Sequence, residues 1–197
     1  MNLQLNKNNI FTSPIYDCFL NLDIDKLKQV CYEIKNNDGS KERQYSSFNG
    51  WHSEIYFNRI NEFGELIDSL YHIVQTIKTE LGFKKDLNLN ILQYWINING
   101  NKSYHAPHIH RGFLFSAIYY INTSKDCGDL ELHNPNKNLQ YHVRDEWLDN
   151  IDKIYNNYVI KPEPNKLVIF PSWLEHSVRV NKSDEDRISI AFDIGVI

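Results

Sequence analysis

Residues 165–194 read NKLVIFPSWLEHSVRVNKSDEDRISIAFDI, and this stretch decides the fold. It holds three apolar runs, 166–170, 177–180 and 187–194, separated by residues that favour turns. Short runs bounded by Pro, Asn, Ser and Asp read as strands. The last run alternates: on an extended backbone Arg187 and Ser189 share one face, and Ile188, Ile190 and Phe192 share the other.

Working outward towards the N-terminus, period-2 segments recur at 158–161, 129–133 and 113–122. Leu87, Leu89 and Ile91 alternate with polar residues, and 92–99 continues as a strand. Residues 134–157 are polar and irregular and read as a long loop or insertion. Before Asp86 the period is that of a helix. Ile24, Leu27, Cys31 and Ile34 form one stripe, with Asp23 placed to cap it and Gly39 beyond its end. Phe63, Leu66, Ile67, Leu70, Val74, Ile77 and Leu81 form a second, closed by Gly82. Helices followed by many short strands describe an α+β chain ending in a β-sandwich or jelly roll. No repeat or linker divides it, so residues 1–197 are expected to form a single domain, with 1–86 mainly helical support and 87–197 the β core.

At this length a chain buries on the order of 70% of its unfolded surface and needs no staples. Cys18, Cys31 and Cys127 are odd in number and widely spaced. That pattern argues for a reducing compartment and for small packing residues. The first residues, MNLQLNKNNIFTSP, lack a basic start followed by an apolar run, and no stretch approaches the ~20 apolar residues of a membrane helix. A formal charge of −4 disfavours nucleic acid as a partner. A cytoplasmic protein without membrane attachment is expected.

His108 and His110 lie two positions apart where strand character begins, so both imidazoles can reach one metal ion. His105, an odd number of positions away, is expected to face the other side. His176 is a distant third candidate. Two neighbouring ligands and one remote ligand form a facial set that leaves positions open. His–X–His alone is common in proteins that bind no metal. His52, His72, His133 and His142 receive no role. Arg187 with Ser189 two residues on offers a fork and a hydroxyl to a carboxylate; the plainer reading is a surface arginine on an edge strand.

These segments resemble the 2-oxoglutarate and Fe(II)-dependent oxygenase superfamily, and more narrowly a family of oxygenases found in bacteria and phages. The matching stretches are SSFNGWHSEIYF (46–57), QYWININGN (93–101), HIHRGFLFSAIYYI (108–121), NKLVIFPSWLEHSVRVN (165–181) and RISIAFDI (187–194). The resemblance implies a double-stranded β-helix, a cupin-like jelly roll, with the N-terminal helices packed on it. It implies His108 and His176 as iron ligands. It also implies that Arg187 and Ser189 hold the distal carboxylate of 2-oxoglutarate, supported by Tyr120 and with Asn97 touching the cosubstrate. The superfamily usually has a carboxylate two residues after the first histidine; here that position is His110. Either three histidines (His108, His110, His176) hold the metal, or His110 stands beside it and water or another carboxylate completes the set. The replacement removes a negative charge and is expected to make the iron more electron-poor.

The activity implied is hydroxylation of an amino acid, a peptidyl residue or a small metabolite, with O2 consumed and succinate and CO2 released. A dry pocket lined by Trp95, Tyr120 and Phe192 would shield that chemistry. Two other classes fit parts of the pattern: a cupin-like three-histidine metal protein that ignores 2-oxoglutarate, and a catalytically silent interaction domain. The first leaves Arg187 and Ser189 unexplained.

Overall fold

A computed structural model of the chain describes residues 6, 12–38, 45–58, 60–136, 144–147 and 157–197. Most of the loop expected at 134–157, and His142 with it, lies outside the described residues.

Two helices form where the apolar stripes lie. Helix α1 spans Ile24–Asn37, and the Asp23 carboxylate accepts from the Lys26 backbone N–H at 3.0 Å. Helix α2 spans Gly64–Glu80 behind a 3-10 turn at Asn61–Phe63. It ends where Gly82, at φ +73, turns the chain and donates to the Thr79 carbonyl.

The described residues form eleven strands: β1 (Tyr16–Phe19), β2 (Ser47–Phe48), β3 (Trp51–His52), β4 (Leu89–Asn99), β5 (Tyr104–His108), β6 (Phe115–Asn122), β7 (Leu130–Leu132), β8 (Tyr158–Ile160), β9 (Lys166–Pro171), β10 (His176–Val178) and β11 (Arg187–Val196). They build two antiparallel sheets, in the orders β1-β9-β6-β11-β4-β3 and β2-β5-β10-β7-β8. The arrangement is a jelly roll. The segment before Asp86, expected as helical support, also supplies β1 and β3, the two edge strands of the larger sheet, and β2, one edge of the smaller.

The larger sheet has two occupied faces. Towards the helices, Ile188, Ile190, Phe192 and Ile194 of β11 join Tyr94, Ile96 and Ile98 of β4 and Leu66, Leu70 and Val74 of α2 in one buried cluster. Towards the second sheet, Tyr120, Val168 and Phe170 meet Leu130, Leu132 and Ile160 in a smaller cluster that closes one end of the sandwich. Phe192 is fully buried on the helix side, so it does not line the pocket as expected from sequence; its even position puts it opposite Arg187 and Ser189. Cys18, Cys31 and Cys127 are all free thiols. No helix among the described residues is long and apolar enough to cross a membrane.

Candidate active site

The inner faces of both sheets enclose a cavity of about 610 Å³. His108, His110, His176, Arg187, Ser189, Tyr120 and Asn97, the seven residues singled out from the sequence, all line it.

His108 and His176 are cross-strand partners on β5 and β10, with ring centroids 4.2 Å apart. His110 lies two residues past the end of β5 rather than on the strand, in the turn leading to β6. There its backbone N–H donates to the Ser172 carbonyl at 3.0 Å, and its ring centroid is 5.1 Å from each of the other two. One ligand atom from each histidine falls within 4.8 Å of the others.

The orientation of each ring follows from its Nδ1. His108 Nδ1 meets the Ala106 carbonyl at 2.8 Å and His176 Nδ1 the Leu174 carbonyl at 3.0 Å. Both acceptors require an Nδ1–H, which leaves Nε2 with a lone pair. His110 Nδ1 meets the Asp193 carboxylate at 2.5 Å. Burial pulls the His108 pKa down to about 4 and that of His176 well below the ordinary histidine value, so both are neutral at pH 7. Three imidazoles gathered around one point can hold a divalent transition metal.

Arg187 begins β11 and is 2% exposed. Its Nη1 donates to the Cys127 and Gly128 carbonyls at 3.1 and 3.0 Å, and its Nη2 to Asn99 Oδ1 at 3.0 Å. The plainer reading, an exposed edge arginine, is thereby excluded: β11 is paired on both sides. The sequence also leads one to expect a guanidinium poorly satisfied without an anion. Instead, three of its five donors are used, every one on a neutral acceptor, which leaves two donors and the whole charge for a ligand. Burial pulls its pKa down.

Around it sit further polar groups, one of them without a partner among the described residues. Asn97 Oδ1 is buried and makes no hydrogen bond. Ser189, paired with Asn97 on β4 and with Tyr120 on β6, is 5% exposed. Burial raises the Tyr120 phenol, with the nearby Arg187 acting in the opposite direction, so the hydroxyl stays a donor. Buried polar groups left open are costly unless something fills them. A guanidinium, a phenol, a serine hydroxyl and an amide converging on one wall suit the carboxylate end of a small diacid.

The structure also brings in residues that the sequence reading left out. His105 lies on the cavity side rather than opposite, with Nε2 3.2 Å from Asn99 Oδ1. The cause is a bulge: His176 pairs with His108 and Val178 with His105, so β5 carries one residue more than β10 and the alternation slips. Nothing local in the sequence signals it. Asp193 was within reach, because the period that aligns Arg187 with Ser189 carries on to it. His52, which also lines the cavity, stacks on Trp95 with centroids 5.6 Å apart.

Solved structures share this architecture at low identity. A Pseudomonas putida prolyl-4-hydroxylase is 14% identical, with a TM-score of 0.62 over 92% of each chain. A Trichoplax adhaerens prolyl hydroxylase, solved with a hypoxia inducible factor peptide fragment, is 20% identical, with a TM-score of 0.61 over 93% of this chain and 83% of that one. A Burkholderia pseudomallei oxidoreductase of the 2OG-Fe(II) oxygenase family is 13% identical with a TM-score of 0.52; the match covers 69% of this chain and 57% of that one. No curated protein sequence matches the chain. The family described as "Putative 2OG-Fe(II) oxygenase" matches residues 93–193, a span of 101 of the 197 that contains all seven singled-out residues. The chain belongs to this 2OG-Fe(II) oxygenase family, whose cofactors are Fe(II) and 2-oxoglutarate.

Proposed function

We propose that the protein is a hydroxylase in which His108, His110 and His176 hold Fe(II), and Arg187, Ser189, Tyr120 and Asn97 seat 2-oxoglutarate. The observation that carries this reading is a buried arginine that, among the described residues, donates only to neutral acceptors, on the same cavity lining as a buried Asn97 oxygen without a partner and the Ser189 and Tyr120 hydroxyls. A three-histidine protein that ignored 2-oxoglutarate would have no use for that wall.

When bound, Fe(II) and 2-oxoglutarate supply the activation of O2, and R–H, 2-oxoglutarate and O2 become R–OH, succinate and CO2. The chain's part is to place and to shield. Arg187 fixes the far carboxylate by a fork that no lysine could reproduce. The Ala106 and Leu174 carbonyls hold the His108 and His176 rings in the tautomer that turns Nε2 inward. Trp95, tilted over His110 with centroids 5.5 Å apart, keeps solvent from that side.

Apart from the histidines, the only charged side chains lining the cavity among the described residues are Arg187 and Asp193, both committed inside. The lining also carries the apolar or aromatic Tyr45, Phe48, Ile55, Ile109 and Phe113, of which Tyr45, Phe48 and Ile109 are exposed. The group to be oxidised is therefore uncharged, as in an apolar or prolyl side chain of a peptide, rather than a free amino acid with both termini ionised. Titration of 2-oxoglutarate into the Fe(II)-loaded protein under argon tests the cosubstrate, through the visible charge-transfer band of the chelate. Iron bound without that band would overturn the reading. Succinate release from neutral peptides and not from free amino acids tests the substrate class.

A further inference from the structure

The three histidines are buttressed in two different ways. His108 and His176 each lean on a backbone carbonyl two residues earlier. His110 leans on a side chain 83 positions away: Asp193 Oδ1 lies 2.5 Å from its Nδ1. That carboxylate is 2% exposed. Its other oxygen accepts from Gln93 Nε2 at 2.7 Å, and the Ser116 hydroxyl donates to the first at 3.3 Å. Ser116 is in turn 2.9 Å from the Ser172 hydroxyl, and Ser172 gives its carbonyl to the His110 backbone. Ring and backbone of His110 are therefore fixed by one connected network. Among the described residues no lysine or arginine pairs with Asp193.

A buried carboxylate without a cationic side chain is costly, and its presence needs a reason. A metal ion one imidazole away supplies one. Three imidazole ligands bring no negative charge to a divalent ion, whereas an aspartate ligand would bring one. Here a carboxylate stands one ring further out, on the one histidine that replaces the acidic ligand of the superfamily pattern. We propose that Asp193 is a positioning residue that locks His110 with Nε2 towards the metal and returns to the centre, through the imidazole, the negative charge a directly bound carboxylate would supply. On this reading the charge expected to be lost from the centre is relocated instead. The inference rests on the assignment of His108, His110 and His176 as ligands.

The test uses Co(II) as the probe metal, followed by its visible spectrum, in the full chain. Asp193→Asn removes the charge and keeps the shape; an Asn Oδ1 still accepts from His110, and the Gln93 amide can turn to accept from Nδ2. Co(II) affinity is expected to fall by roughly 10–100-fold, the usual cost of losing an outer partner of a metal-bound histidine. In a His110→Asp background the same change is expected to cost less than about threefold, because no imidazole remains to relay the charge; the double-mutant comparison isolates that coupling. Equal losses in both backgrounds would make Asp193 a merely structural residue and overturn the proposal, as would an unchanged affinity in Asp193→Asn alone. His176→Ala should abolish tight Co(II) binding; if it does not, the ligand assignment fails first and the proposal with it. Should Asp193→Asn not fold, the Zn(II)-loaded wild type still decides. One histidine Nδ1–H should resonate well downfield of the other two, as a proton shared with a carboxylate does. Three equivalent shifts would overturn the proposal.

Discussion

Arg187 and Asn99 face each other across the β11–β4 ladder, and the arginine's Nη2 donates to the asparagine's Oδ1 at 3.0 Å. The same oxygen lies 3.2 Å from His105 Nε2. Since Oδ1 takes the arginine, the asparagine's Nδ2 turns to the Ser47 hydroxyl at 3.3 Å. The guanidinium is thus aimed before any ligand arrives, and little rotamer freedom remains to be lost on binding.

Arg187→Ala should weaken 2-oxoglutarate binding by about 30-fold or more, since truncating one partner of a buried charge pair costs about 2–5 kcal/mol. Arg187→Lys should recover only part, because a point charge cannot replace the fork. Co(II) affinity should stay nearly unchanged in both. Anaerobic titration of 2-oxoglutarate into metal-loaded protein measures the first two, and a metal titration the third. A normal 2-oxoglutarate affinity in Arg187→Ala would remove the arginine from the site.

His110→Ala should lose more metal affinity than the roughly 10–100-fold that an outer partner contributes. His110→Asp should retain binding while shifting preference from Zn, Ni and Cu towards iron, as imidazole gives way to carboxylate. Competition among these metals at fixed pH reads the shift. Equal affinity in wild type and His110→Ala would show that this ring is not a ligand.

The metal-free protein should lose stability in acid. His105, His108 and His176 all have folded-state pKa values lowered by burial, that of His108 to about 4. In the unfolded chain each takes a proton near pH 6.5. Between these values the unfolded state binds more protons, so the contribution is intact above about pH 6.5 and falls as pH drops towards 4. The slope is about 1.4 kcal/mol per pH unit for each histidine held neutral. Thermal melts across that window should show the decline, and bound Zn(II) should raise the melting temperature above pH 6.5. A flat profile would show that these rings are not held neutral.

Gly128→Ala should damage the cosubstrate wall without touching the metal. Gly128 sits at φ +95, where a side chain is strained. An added Cβ would press on the Arg179 carbonyl and lie 2.9 Å from Arg187 Nη1. The Gly128 carbonyl is one of the two that seat the guanidinium. Weaker 2-oxoglutarate binding, a lower melting temperature and an unchanged Co(II) spectrum are expected together. A shift in that spectrum would mean that the loop also supports the histidines.

What could be read from the sequence was whatever is local and periodic. Helices α1 and α2 were legible from their stripes and end signals, and β4 and β11 from their alternation. Strand β1 was not. YDCF at Tyr16–Phe19 has no strong alternation, and its place is set by pairing with β9 some 150 positions away (Tyr16 opposite Ile169). The set of seven residues in the cavity was legible because strand parity fixes Arg187 with Ser189, and the family resemblance adds the remote members. His105 was not, because a single extra residue in β5 reverses its side, and a bulge is decided by the partner strand. Asp193 followed the same parity as Arg187 and was readable in principle; only the fold shows what its carboxylate touches.

Strand β11 serves two masters, with Arg187, Ser189, Ala191 and Asp193 on one side and Ile188, Ile190, Phe192 and Ile194 on the other. Point changes at odd positions can therefore alter what the pocket handles while the load-carrying face stays as it was, and the reverse holds for even positions. The strand tolerates revision one letter at a time. It does not tolerate a frame error. A one-residue insertion or deletion would exchange the two faces, sending isoleucines into the pocket and an arginine and an aspartate beneath the helices. Natural variation in this segment should consequently consist of substitutions, with length changes confined to the turns on either side.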